Sequence, residues 1–556
     1  DGRALGGPPM DFPANGVELK SWIPLAELSP GASNGADCWG YTSPAGNEYA
    51  IIGLSNGTAF VDVTNPGNAQ QVGMISGPSS LWRDVKTYQN YAYVVSEGGG
   101  GIQVIYLSDI DNGNVTLEKT VLSGGVESTH NVAINTDSGY LYRCGGASSA
   151  GLRIYDLSEP SDPQFVGEWN DRYSHDAQIV SYDTGPYAGK EIAFSFGGFN
   201  SGFVDPVVSI VDVTDKNDMT VLSHTAYPNA GFCHQGWVSP DKQYLYVNDE
   251  LDESNQGVET TTRIFDITDL ENPQLEGTFS TGLPAIDHNL YSDGEMIYEA
   301  NYRSGLRVFD ASDPLNPVEI AYFDTFPEND SPSFNGLWNA YPFFESGTII
   351  GSDLEKGLFV WELGEISVLE FELAGEQPEF INPSGQTIGV EITAPFGELD
   401  EDTPTLIYDT GNGEQQVPMT AQSDTLYEAS FPAIDCGQPV EYYFEAQSTA
   451  GSTFRFPTNA ANNPFEALAA LGVDTVFEDN GENDAGYSVS GEAVDGQWEI
   501  GVPVDFGRGD PSSDFDGSGQ CWLTDNVAGD SDVDGGATVL TTPTFSAPAD
   551  SRIEYA

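Results

Sequence analysis

Along the first two thirds of the chain, short runs of β-branched and aromatic residues end on a polar turn signal and return about every 50 residues. The recurring segments are Val61-Asp62-Val63-Thr64, Ile105-Tyr106-Leu107-Ser108, Ile154-Tyr155-Asp156-Leu157-Ser158, Ile210-Val211-Asp212-Val213-Thr214, Ile264-Phe265-Asp266-Ile267-Thr268, Val308-Phe309-Asp310-Ala311-Ser312 and Phe359-Val360-Trp361-Glu362-Leu363, seven copies in all. Runs this short predict strands, because a helix would repeat its apolar positions every three to four residues over a longer stretch. Within the third copy the pattern resolves into four strands, over 130–134, 140–143, 151–156 and 164–169. The run from Asn135 to Gly139 supplies the first bend, and Pro160 and Pro163 interrupt the ladder before the outermost strand. Four short strands per repeat predict an all-β fold, a seven-bladed β-propeller over residues 1–365. The seventh copy stops after its third strand at Leu363, whereas the chain opens on a strand pattern at 17–23 with no partner of its own. That offset predicts an N-terminal strand completing the last blade and leaving no open sheet edge. A solenoid of the same repeats is the competing architecture and would not need the offset strand.

Beyond Leu363 the register changes. Residues 366–462 alternate apolar and polar positions at 387–392, 405–409 and 440–446 between Gly, Asn and Pro turns, the pattern of an immunoglobulin or fibronectin type III sandwich. Within 463–556, the apolar stretch 464–471 reads as a linker with one helical turn. The segments 496–501 and 517–526 resemble the start of a jelly-roll domain found at the ends of secreted bacterial proteins. The chain stops within a strand pattern, so only the N-terminal part of that domain is expected.

The segment Gly151-Leu152-Arg153-Ile154-Tyr155-Asp156-Leu157-Ser158-Glu159-Pro160, with its relatives at 305–314 and 207–215, resembles the LVIVD repeat. The whole of 17–363 resembles the choice-of-anchor B domain of bacterial surface proteins. The resemblance implies export and attachment through some C-terminal device, here a missing tail, and it implies no reaction.

Charge narrows the partners. With 86 acidic against 18 basic side chains the formal charge is −68, a field that repels phosphate backbones and anionic lipid. Nucleic acid is therefore not an expected partner. Saline or calcium-rich surroundings would screen such a surface, although an acidic composition with no specific role would look the same. No apolar run is long enough to span a membrane or to be a retained signal peptide, and the chain opens on Asp1, as expected of a processed product. A secreted, extracellular or cell-surface location follows as the expectation. The five cysteines have no metal-type spacing and no disulfide pattern.

The chemistry concentrates in one register. Of only five histidines, four open the first strand of consecutive repeats: His130, His175, His234 and His288. Trp39, Arg83 and Asn335 are expected at the equivalent places, where they would orient a ligand. First strands are innermost in a propeller, so these side chains are expected at the channel mouth, joined by Glu97, Asp249, Glu250, Glu299 and Asp353 from the ends of second strands. Imidazole with carboxylate suits zinc, copper or iron. The alternative is a ring of polar groups that caps the inner strands. Cys38 and Cys233 are expected to point away and pack, and His224 lies on an outer strand. In the last module, Asp530-Ser531-Asp532-Val533-Asp534-Gly535-Gly536 carries the Asp-x-Asp-x-Asp-Gly spacing of a calcium loop, with Asp525 and Asn526 as further oxygen donors; the distal Glu of an EF-hand is missing, and a solvated acidic loop would read the same way. No nucleophile elbow, His-Glu-x-x-His helix or phosphate loop is present. Three functions remain: a surface binding or adhesion protein with an unknown extracellular ligand, an extracellular metalloenzyme, hydrolase or oxidase, using the histidines, or a purely structural scaffold.

Overall fold

The computed structural model describes residues 12–124, 128–146, 151–200, 202–457, 460, 463–472, 474, 478–504, 511–514, 517–527 and 533–546. Strand is the dominant regular structure among its described residues, whose two α-helices are only four and five residues long. Residues 14–363 form seven antiparallel sheets, six of four strands and one of five. Five of the sheets run outward wholly in chain order, as in Asn131–Asn135, Tyr140–Cys144, Leu152–Asp156 and Gln164–Trp169; the last two each take their outermost strand from the N-terminus.

Two local features explain the repeat. The acidic residue that ends the third strand closes an Asx turn: Asp62, Asp156, Asp212, Asp266 and Asp310 each accept through Oδ1 from the backbone N–H two residues on, at 2.7–3.0 Å. The pairing of third with fourth strand carries a bulge, for example between Phe60 and Val61, Ile264 and Phe265, and Val308 and Phe309. A bulge adds local twist, which lets the outer strand splay away from the inner one.

Apolar packing lies between sheets. Ile51 and Phe60 of the first sheet meet Val94 and Ile105 of the second; Ile192 and Phe194 of the fourth meet Leu245 and Phe265 of the fifth. The series closes where Ile350, Leu358 and Val360 of the seventh sheet pack with Cys38, Ala50 and Ile52 of the first. The first strands touch in the same order, Leu337–Tyr341 reaching Gly35–Thr42, so the seven sheets form a ring. The N-terminal strand Val17–Ile23 pairs antiparallel with Gly357–Leu363 as the fourth strand of the last sheet. Trp22 stacks on Phe359 at 5.8 Å, and its indole N–H donates to the Lys356 carbonyl at 2.8 Å. Ala14–Asn15 adds a short fifth strand to the sixth sheet, a pairing the sequence pattern does not predict.

Residues 368–469 form two further sheets, of four and six strands, around a shared core of Ile388, Val390, Tyr427, Phe431, Tyr442 and Phe444. Phe465–Ala469 corrects the expected linker: it is a strand paired with Pro439–Gln447, because Phe465 buries its ring against Tyr442 at 5.3 Å. Further on, the described residues contain two strand pairs, Ser488–Gly491 with Thr538–Thr541 and Trp498–Gly501 with Cys521–Thr524. Among the described residues no helix is long and apolar enough to cross a membrane.

Candidate metal centre

The first strand of each sheet has an inner edge with no neighbouring strand, so its backbone groups need other partners. The histidines supply some of them. His130, His175 and His288 directly precede a first strand, and His234 is the second residue of Cys233–Val238. Their rings form a continuous arc with centroids 4.1, 4.4 and 4.3 Å apart from His130 to His175, His234 and His288. All four are buried.

Hydrogen bonds fix two tautomers. His234 donates through Nδ1 to the His288 carbonyl at 2.9 Å, and His288 donates through Nδ1 to the Trp338 carbonyl at 2.6 Å. Both Nε2 atoms therefore carry lone pairs, and each lies 3.8 Å from an oxygen of Glu250. Tyr302 donates to Glu250 Oε1 at 2.7 Å and packs its ring, tilted, at 4.6 Å from that of His288. His234, Glu250 and His288 thus offer two nitrogens and one carboxylate to a common point, with potential ligand atoms within 4.8 Å of one another. Next along the arc, His175 Nε2 is buried without a hydrogen-bond partner, while its Nδ1 lies 3.2 Å from the Tyr173 hydroxyl. His130 donates through Nδ1 to Glu97 at 2.7 Å.

Burial dominates the electrostatics. It holds the His175 and His234 imidazoles well below their usual range and pushes His288 down to about 3, so these rings are neutral at pH 7. It also pushes the Glu250 carboxyl up to about 7. The hydrogen bond from His130 holds Glu97 below its ordinary value. Neutral imidazoles beside a carboxyl that ionises near neutrality form a set of metal donors, and donation of Nδ1 to a carbonyl is the usual way a ligating histidine is oriented.

The remaining expected residues sit elsewhere. The Asp249 carboxylate is filled by the Tyr227 hydroxyl at 2.7 Å and the Gly231 N–H at 2.9 Å, and it braces a loop. Glu299 accepts from Thr262 at 2.6 Å and Asn301 at 2.7 Å; Asp353 accepts the N–H groups of Glu355 and Lys356. Arg83 points away from the imidazoles and donates to the carbonyls of Leu54 and Pro78. Asn335 bonds Arg303 and Glu355 on a loop, and the place expected for it is taken by Trp338, whose ring lies 4.8 Å from His288. Trp39 belongs to an aromatic layer with Tyr341 and Tyr291, at 4.9 and 5.8 Å. Cys38, Cys144 and Cys233 are buried and unbridged, while His224 on its outer strand lies 2.9 Å from the Ser209 hydroxyl. Of the expected calcium loop, Asp530 and Asp532 lie outside the described residues; Asp534 is exposed, Asp525 takes a left-handed φ of 48°, and the Asn526 amide donates to the Val502 carbonyl.

Sequence reasoning missed Tyr302, Tyr173 and Trp338, which orient or cover the imidazoles. It also missed a layer one residue along the inner strands, where Lys86 Nζ lies 2.7 Å from Asp84 and 3.9 Å from Asp37. The repeated polar residue after each opening position, among them Asp84, Asn131, Asp176, Gln235 and Asn289, was the available signal. Asp84 and Gln235 use it to bond the next inner strand, at the N–H groups of Val132 and Leu290.

No family model matches the chain, and no curated protein matches it. Among solved structures, Sqt1 of Saccharomyces cerevisiae is 8% identical with a TM-score of 0.42, over 62% of this chain and 98% of its own. A protein from Lactobacillus plantarum is 15% identical with a TM-score of 0.39, over 53% and 84% of the two chains. A hypothetical selenium-binding protein from Sulfolobus tokodaii is 13% identical with a TM-score of 0.36, over 51% and 80%.

Proposed function

We propose that residues 14–363 are a seven-bladed β-propeller of LVIVD type that presents a transition-metal site on one face of an exported, surface-associated binding protein, with the following sandwich and the last module as spacers. The observation that carries the metal reading is the shared aim of His234 Nε2 and His288 Nε2 at Glu250, each ring pinned by Nδ1 to a backbone carbonyl. A ring of polar caps would satisfy the inner edge without turning two lone-pair nitrogens, those of His234 and His288, toward one carboxyl group, and without leaving His175 Nε2 buried with no partner. Two imidazoles and a carboxylate suit zinc, copper or iron.

Exposed aromatic residues rim this face and support a ligand-binding role. Trp82 lies 6.2 Å from His130, Phe199 packs on Phe232 beside His175, and Phe334 packs on Tyr302 beside His288. An extracellular ligand with an apolar or planar group and a metal-seeking atom fits such a rim. The −68 charge supports a setting rich in salt or divalent cations.

The second reading is a metalloenzyme. Three protein donors leave a coordination position for water or substrate, and the metal would supply Lewis-acid or redox chemistry there. Loading the purified chain with each metal and assaying ester, phosphoester and thiol oxidation separates the two. Turnover lost with Glu250→Gln supports the enzyme; stoichiometric metal without turnover supports the binding protein, and no bound metal removes both.

A further inference from the structure

A second group of buried acids stands beside the imidazoles and has no part in the site above. The strand Tyr244–Asp249 leads through Glu250 and Leu251 into the short helix Asp252–Gln256; the next sheet is entered through Asp287 and His288. Asp252, Glu253 and Asp287 come together there with potential ligand oxygens within 4.8 Å of one another. They are 0%, 2% and 0% exposed.

Their hydrogen bonding is incomplete. Arg263 binds Asp252 Oδ2, stacking at 4.7 Å on Tyr227, and the Asp287 N–H donates to Glu253 Oε1 at 3.3 Å. That leaves Asp252 and Glu253 bonded only to each other on their remaining side, and both oxygens of Asp287 buried with no partner. Asp287 is fully buried and contributes two bare acceptors. Buried polar atoms are nearly always satisfied, and two on one fully buried side chain beside a second acid pair mark a missing partner. Once all three acids are ionised, as ligation requires, three carboxylates against one guanidinium leave two negative charges, which a divalent cation neutralises.

We propose that Asp252, Glu253 and Asp287 bind a hard divalent cation of the calcium class, with Arg263 holding Asp252 in place from outside. Oxygen-only donors select calcium or magnesium over zinc and copper, and calcium tolerates the irregular geometry of a helix turn meeting a strand entrance. The ion ties the segment carrying Glu250 to the segment carrying His288. It is distinct from the acidic run at 530–536 and does not depend on a metal at the imidazoles.

The test uses the full chain stripped with chelator, its melting temperature followed against CaCl2 at fixed ionic strength, so that general screening of the acidic surface cancels. Wild type is expected to show a saturable rise that Asp287→Asn and Glu253→Gln each abolish. In chelator the two variants are expected to melt above wild type, because burying an ionisable carboxyl group costs stability that a neutral amide does not; in calcium the order reverses. The same calcium response in wild type and both variants overturns the proposal. Should the variants fail to fold, wild-type crystals grown with saturating calcium decide: a peak between the three carboxyl groups supports the site, and its absence removes it.

Discussion

His234 donates its Nδ1 proton to the backbone carbonyl of His288, the next histidine in the arc, at 2.9 Å. One ligand candidate thus orients its ring on the peptide that carries the other, and both present Nε2 to Glu250. The Tyr302 hydroxyl completes this arrangement at 2.7 Å from Glu250. Tyr302→Phe removes that single hydrogen bond and keeps the ring against His288. Metal affinity is expected to fall by about 10- to 100-fold, the usual effect of losing an orienting partner, with an unchanged melting temperature in the metal-free protein. Competition titration with a chromophoric chelator measures it.

Glu299 gives a pH prediction away from the imidazoles. Burial pushes its carboxyl up to about 7 from an ordinary 4.5. The folded state then holds the proton more tightly than the unfolded one, so the stability it contributes is complete below pH 4.5 and is lost as pH rises through 7. Glu299→Gln removes this dependence. The variant is expected to gain up to about 3 kcal/mol on wild type between pH 4.5 and pH 8, read from urea unfolding at the two pH values.

Closure of the ring makes the first strand essential. Trp22→Ala removes the ring stacked on Phe359 and is expected to cost about 3–5 kcal/mol. Deleting Val17–Ile23 exposes the edge of Gly357–Leu363, and self-association is the expected result. Thermal melts and light scattering check the two.

Thiol reactivity reports the same packing. Cys38, Cys144 and Cys233 are buried, and burial raises all three thiols. Cys436 is exposed. A disulfide reagent at pH 8 is expected to label Cys436 in the folded protein and those three only after denaturation, as peptide mass analysis would show.

The repeat was legible because the Asx turns at Asp62, Asp156, Asp212, Asp266 and Asp310 are local and write their own spacing into the chain. The four histidines were legible for the same reason: each sits at the entrance to an inner strand. Asn335 was misplaced because Leu337–Tyr341 bulges between Leu337 and Asn339, as Cys233–Val238 does between Cys233 and Gln235, and counting from turn residues slips across a bulge. Asp249, Glu299 and Asp353 read as rim ligands because strand direction brings them to the right level; whether a carboxylate is already filled by loop N–H groups or hydroxyls depends on contacts that a strand pattern does not carry. The grouping of Asp252 and Glu253 with Asp287 crosses from one sheet to the next and leaves no motif.

The central claim is that His234, His288 and Glu250 hold a metal ion, and metal analysis after loading and desalting tests it most directly. Wild type and the outer-strand control His224→Ala are expected to retain one zinc, copper or iron per chain, and His234→Ala with His288→Ala to retain none. Wild type that keeps no metal, or a double variant that keeps as much as wild type, would contradict the account.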